Sequence, residues 1–176
     1  YRNGSLWTTQ TISCNPTGDG AVNCVRWAEI DPGNIEPISG VDENGFAIAS
    51  TDGVVQAGVF SSADGSHRWF PSIGVNACGD MAVGYSKSSE LTFPSVALTG
   101  QRRTDQPGRV RGEVDVIAGG EPYRSFQNPE APNRWGDYTG MWIDPNGVDF
   151  WYIGEYAGPS ENPFTNWRNV IAKANF

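Results

Sequence analysis

Arg134-Trp135-Gly136-Asp137-Tyr138 gathers a guanidinium, an indole, a carboxylate and a phenol within five residues. Such a set at one strand mouth suits a polar ligand. A guanidinium closes on a carboxylate as a bidentate fork, and flat rings offer faces for stacking. Arg68 heads a second Arg-Trp pair and joins Arg134, Trp135, Asp137 and Tyr138 as a candidate ligand-binding residue. A structural arrangement uses the same residues, with Arg134 paired to Asp137 and Trp135 packed between sheets. Asp144, Asn146 and Asp149 place three oxygen-bearing side chains within six residues. Calcium takes such oxygen ligands, and a plain hairpin turn favours the same residue types. Glu155-Tyr156 sets a base beside a phenol, but neighbours on a strand point to opposite faces. A nucleophile and its base must share one face, so no catalytic residue is assigned.

The sulfur and imidazole inventory is short. His67 is the single histidine and no Cys-x-x-Cys occurs, which removes the usual zinc ligand sets. A Ser-His-Asp triad would have to use His67, read here as part of a polar loop after Ser61. Cys14 and Cys24 flank a Gly- and Pro-bearing loop. Strands on either side of it would bring them together, and a disulfide there predicts an oxidising compartment. Unpaired thiols are the other reading. Cys78 is left over. Asn3-Gly4-Ser5 matches a glycosylation sequon.

These groups need elements to hold them. The 176 residues include 22 Gly and 12 Pro, a composition for short strands and tight turns rather than a helical bundle. The net charge of −8 lacks the basic footprint of a nucleic-acid binder, and no apolar run is long enough for a membrane-spanning helix. Alternation and short apolar runs predict strands over 5–12, 23–30, 46–50, 54–60, 71–76, 80–86, 93–100, 113–118, 138–144, 149–156 and 167–175. The last of these also suits a helix face. Asp19-Gly20, Asp31-Pro32-Gly33, Asn44-Gly45, Asp52-Gly53, Asp64-Gly65 and Asn146-Gly147 supply the turns. Residues 102–112 form a polar loop with four arginines, and 128–133 and 158–163 are further loops. The chain opens on Tyr1 and at once on a strand, which predicts sequence upstream.

An internal repeat organises the second half. Arg68-Trp69, a strand, Asn76-Ala-Cys-Gly79 and a second strand recur as Arg134-Trp135, a strand, Asp144-Pro-Asn-Gly147 and a second strand. Val41 to Phe46 repeats the turn portion alone. A repeated supersecondary unit in an all-β chain predicts a propeller or a solenoid. At four strands per blade the chain makes about two and a half to three blades of a larger ring. A β-sandwich is the alternative. Residues 1–176 read as a single all-β region.

Arg68 through Asn76 with Gly79-Asp80 and Val83-Gly84-Tyr85 resembles a strand pair of secreted bacterial proteins of the sialidase-like, BNR-repeat propeller type. Arg134 through Met141, Asp144-Pro145, Phe150-Trp151 through Tyr156, and Trp167 resemble the C-terminal blade of that group. Tyr1 through Trp7 and Val25 through Asp31 also fit it. The resemblance implies a C-terminal portion of a propeller, secreted, completed by another segment or chain, with a structural or glycan-binding role. A sialidase-like glycoside hydrolase is the other function it implies, and the open strand edges of an incomplete ring would suit a subunit of a cell-surface assembly or filament. The Asp-box is degenerate: Ser62-Ala-Asp64-Gly65-Ser-His-Arg-Trp69 has its Gly one place early and Arg for Thr. No cofactor is implied beyond calcium, and neither nucleic acid nor membrane insertion enters the reading.

Overall fold

The computed structural model describes residues 1–35, 53–124, 134–160, 162 and 166–176. They form an all-β chain of three antiparallel sheets, none of them closed on itself. The first sheet holds β1 (Leu6–Cys14), β2 (Val22–Ile30) and β3 (Val54–Phe60) in that order. The second is a four-stranded meander of β4 (His67–Val75), β5 (Met81–Ser89), β6 (Thr92–Gln101) and β7 (Val114–Ile117). The third holds β8 (Gly140–Ile143), β9 (Phe150–Ala157) and β10 (Trp167–Ala174). Within each sheet, strands adjacent in sequence are adjacent in space.

The middle sheet lies between the other two. On one side Val75, Met81, Val83, Tyr85 and Ala97 pack against Val25 and Trp27 of the first sheet. On the other side Gly84 faces the ring of Tyr152 so closely that a Cβ would overlap it. Met141 covers Gly74 in the same way. β5 is therefore buried on both faces, and Met81 through Ser86 are all inaccessible. That explains its run of apolar and small residues instead of the alternation of a strand with one wet face.

The expected strands are present wherever residues are described, with shifted ends. The expected strand 46–50, the Asn44-Gly45 turn, the partial repeat from Val41 and the loop 128–133 lie outside the described residues. The strand expected over 167–175 is present over 167–174, paired with β9 and half-buried along one face. One reading is corrected. His67 is the first residue of β4, not part of a loop, because Arg68 and Trp69 continue the ladder onto Lys87 and Ser86. The register then shifts between Trp69 and Ser72, where Pro71 cannot donate.

The repeat has a structural counterpart. Asn76 Oδ1 accepts from the N–H groups of Cys78 and Asp80. Asp144 Oδ1 accepts from the Asn146 N–H in the corresponding place. Gly79 and Gly147 take positive φ at 87° and 77°, which is why both turns carry glycine. The two tips touch: Ala77 N–H donates to the Gly147 carbonyl at 2.8 Å and Asn76 Nδ2 to the Val148 carbonyl at 2.9 Å.

Cys14 and Cys24 are joined by a disulfide across β1 and β2. Ile12 sits opposite Cys24, so the two cysteines share one face, one step apart diagonally. The bond fits an extracellular protein. Cys78 is a free, exposed thiol at the β4–β5 tip. No helix among the described residues is long and apolar enough to cross a membrane.

Candidate functional site

At the end of the middle sheet opposite the two turn tips lies an open cleft of about 500 Å³. Its wall brings Trp69 and Phe70 of β4 beside Trp135 and Asp137 from the segment before β8, with His67 and Asn23 along the rim. Trp135 stands edge-on to Trp69 at 6.5 Å and to Tyr123 at 5.0 Å. Its indole N–H donates to Ser86 Oγ at 3.3 Å. The ring is thus anchored by one edge, the arrangement a buried-edge indole favours.

Phe70 is held in an uncommon conformation. Its φ is +49°, in the left-handed region that bulky residues avoid. Both of its backbone groups are tied to side chains of neighbouring elements: the Phe70 N–H donates to Thr11 Oγ1, and Thr139 Oγ1 donates to the Phe70 carbonyl at 2.8 Å. Strain of this kind persists where the surroundings over-determine it, and it clusters at binding sites. His67 Nδ1 accepts from the Asn23 N–H at 3.2 Å. The neutral ring then carries its proton on Nε2, so a donor stands at the rim.

Of the residues expected to bind ligand, Arg134, Trp135 and Asp137 line this cleft together. Arg134 Nη2 pairs with Asp137 Oδ1 at 2.6 Å. Both side chains are exposed, so this pair joins the rim without closing the cleft. Tyr138 lies 87% exposed and outside the lining.

Arg68 is placed elsewhere. It is 1% exposed, under the ring of Phe60, with its fork divided between two carboxylates. Arg68 Nε meets Glu113 at 2.7 Å and Nη2 meets Asp64 at 2.9 Å. Tyr85 donates its hydroxyl to Glu113 at 2.8 Å and Lys87 adds an ion pair at 2.7 Å. Burial raises the Glu113 carboxyl, but the hydrogen bonds from Arg68, Lys87 and Tyr85 outweigh it and hold the group below its ordinary range. Burial first, then the Glu113 charge, push the Tyr85 phenol far upward. That environment keeps the phenol protonated and inside the core.

Behind the cleft lies Glu155, which the sequence offered only as a base beside Tyr156. Glu155 is buried, with Oε2 unpartnered, and Gly136 presses against its carboxylate where a Cβ would overlap. Burial raises its carboxyl, a hydrogen bond from Trp167 opposes, and the Asp137 charge raises it again. Gly136 was the available signal, since only glycine allows that approach.

The candidate metal residues form a hairpin turn. Asp144 Oδ2 accepts from the Trp151 indole at 2.7 Å. Asn146 Oδ1 accepts two backbone N–H groups, and Asp149 Oδ2 takes Asn146 Nδ2 and the Lys173 ammonium. Among the described residues no group of three acidic, His or Cys side chains converges on a metal position. Asn3 is exposed in the turn before β1, at φ +53°.

No family model, curated protein or solved structure matches the chain.

Proposed function

We propose that this chain is an extracellular module built on a propeller-type stack of sheets that binds glycan in the Trp69–Phe70–Trp135 cleft. The observation that carries the reading is the cleft itself. Aromatic side chains contributed by β4 and by the segment before β8 meet at one mouth, with Arg134, Asp137 and the His67 imidazole as polar groups beside them. Sugar rings stack on such faces, while a few placed polar groups fix orientation. The over-determined backbone at Phe70 supports it, since a preorganised wall lowers the ordering cost of binding.

Sheets of further protein, from this chain or another, would cover the two outer faces of the stack. The middle sheet buries both faces, whereas the first leaves Val55 and Val59 exposed and the third leaves Trp142 and Ile171 exposed. The disulfide and the all-β fold fit an extracellular setting.

A glycan microarray followed by calorimetry tests the binding. Trp135→Ala should weaken the best oligosaccharide by roughly tenfold or more, the effect of losing one stacking anchor. Tyr138→Ala, outside the cleft, should leave affinity unchanged. A bound glycan insensitive to Trp135 would place binding elsewhere, and no bound glycan would leave the module a structural one.

A further inference from the structure

Two buried acids occur among the described residues, Asp149 and Glu155. Asp149 is neutralised by the Lys173 ammonium at 2.7 Å. Glu155, 6% exposed, meets no cation among the described residues, and its Oε2 has no hydrogen-bond partner. We propose that Glu155 is a proton-operated switch for the aromatic cleft: as a carboxylate it strains the Gly136–Asp137 wall, and as a neutral acid it lets that wall settle. The proposal rests on the glycan reading of the cleft for its ligand alone.

The contact that carries it is with Gly136. The Glu155 carboxylate lies so close that a Cβ on Gly136 would overlap both of its oxygens. Gly136 lines the cleft between Trp135 and Asp137, so a change of charge at Glu155 reaches the wall through one residue. A second route runs through β5. Ser86 Oγ accepts from the Trp135 indole at 3.3 Å and donates to the Glu155 carbonyl at 3.5 Å.

A buried charge without a partner is costly, and uptake of a proton removes the cost. The surroundings of Glu155 add to it. Burial raises the carboxyl most, Asp137 from the segment before β8 raises it further, and a hydrogen bond from Trp167 of β10 opposes. Asp137 is itself paired with Arg134 at the rim. Tyr123 from the segment after β7 and Tyr152 of β9 also face this charge. Burial first, then the Glu155 carboxylate, push both phenols upward. Ser86 brings no charge from β5.

A carboxyl raised in the folded state contributes stability below its unfolded value and loses that contribution as pH rises through the folded one. The switch therefore operates above the ordinary carboxyl value of 4.5. On its alkaline side the carboxylate repels Asp137. On its acid side that repulsion is gone, the wall is preorganised, and a ligand binds more tightly.

Two-dimensional NMR of the indole N–H signals on the intact chain reads the switch without ligand. Trp135→Phe and Trp167→Phe assign the two signals. Both should move with pH through one shared midpoint above 4.5, and Glu155→Gln, with melting curves to show that it folds, should abolish it. His67→Gln should keep it, which separates Glu155 from the imidazole on the rim. Trp167→Phe removes the bond that holds the charge, so the midpoint read on Trp135 should rise. Calorimetry with the best oligosaccharide should show wild type binding about fivefold tighter or more on the acid side of the midpoint, the low end of coupling between two sites. Glu155→Gln should bind equally on both sides. A shared midpoint in a chain that binds no glycan would uphold the switch and fail the glycan reading. The proposal is overturned if no shared midpoint lies above 4.5, if it persists in Glu155→Gln, if Trp167→Phe leaves it unmoved, or if a glycan binds equally on both sides of it.

Discussion

Arg68 and Arg134 carry the same local sequence, Arg-Trp, and serve different ends. Arg134 stands at a solvent-filled rim against Asp137, while Arg68 is sealed between Asp64 and Glu113. The buried pair makes a firm claim on stability. Removing one partner leaves an uncompensated charge, so Glu113→Gln should lower unfolding free energy by roughly 3–5 kcal/mol in chemical denaturation. Equal stability of the variant would refute the network's role. The same carboxylates set the acid limit. Glu113 and Asp64 have folded-state values below their unfolded ones, Asp64 falling from 3.8 to about 2 through the Arg68 and Ser66 bonds against the opposing effect of burial. A depressed carboxyl stabilises above its unfolded value and loses that contribution as pH falls through the folded one. Stability should therefore decline from about pH 4 toward pH 2 in acid titration followed by circular dichroism, and the decline should be shallower in Glu113→Gln.

The elements are held by close approaches that small residues permit. β5 has no wet face, and at Gly84 the ring of Tyr152 occupies the place a side chain would take. Gly84→Ala must push the third sheet away from the middle one. Overpacking of this kind costs about 1–3 kcal/mol, and thermal melts of Gly84→Ala should fall accordingly. A companion change, Gly112→Ala, meets open space and should melt near wild type. An unchanged Gly84→Ala melt would mean that the sheets are not stacked at this distance. Strand content was legible from alternation in β1 and β3. The start of β4 was not, because Pro71 looks like a boundary, and only pairing with β5 shows that the ladder runs through the bulge.

The described sheets form a stack whose two outer faces carry exposed apolar side chains. Trp142 and Trp151 stand opposite each other across β8 and β9 on the outer side of the third sheet, with Trp142 59% exposed. Faces of this composition invite covering protein. Light scattering on the native particle should give a mass above the 19.1 kDa of the chain. A drop on reduction would assign the link to Cys78, since Cys14 and Cys24 are joined within the chain. A particle at the chain mass would count against completion of the stack by further chains.

The sequence by itself determined the all-β class, most strand positions and the two equivalent turns, and it pointed to the Cys14–Cys24 pair. Each follows from local chemistry: alternation, glycine at positive φ, and the reach of a hairpin. It also brought Arg134, Trp135 and Asp137 to attention as neighbours in the chain. Only the tertiary structure decided that Trp69 and Phe70 join them, because those residues lie some 65 positions away and meet through sheet stacking. It alone sent Arg68 inward, since its partner Glu113 is 45 residues distant. It alone brought Arg2 and Arg103 into the lining of one pocket, from positions about a hundred residues apart in the chain. Contacts of that separation leave no local pattern, because they depend on which faces the sheets bury against one another.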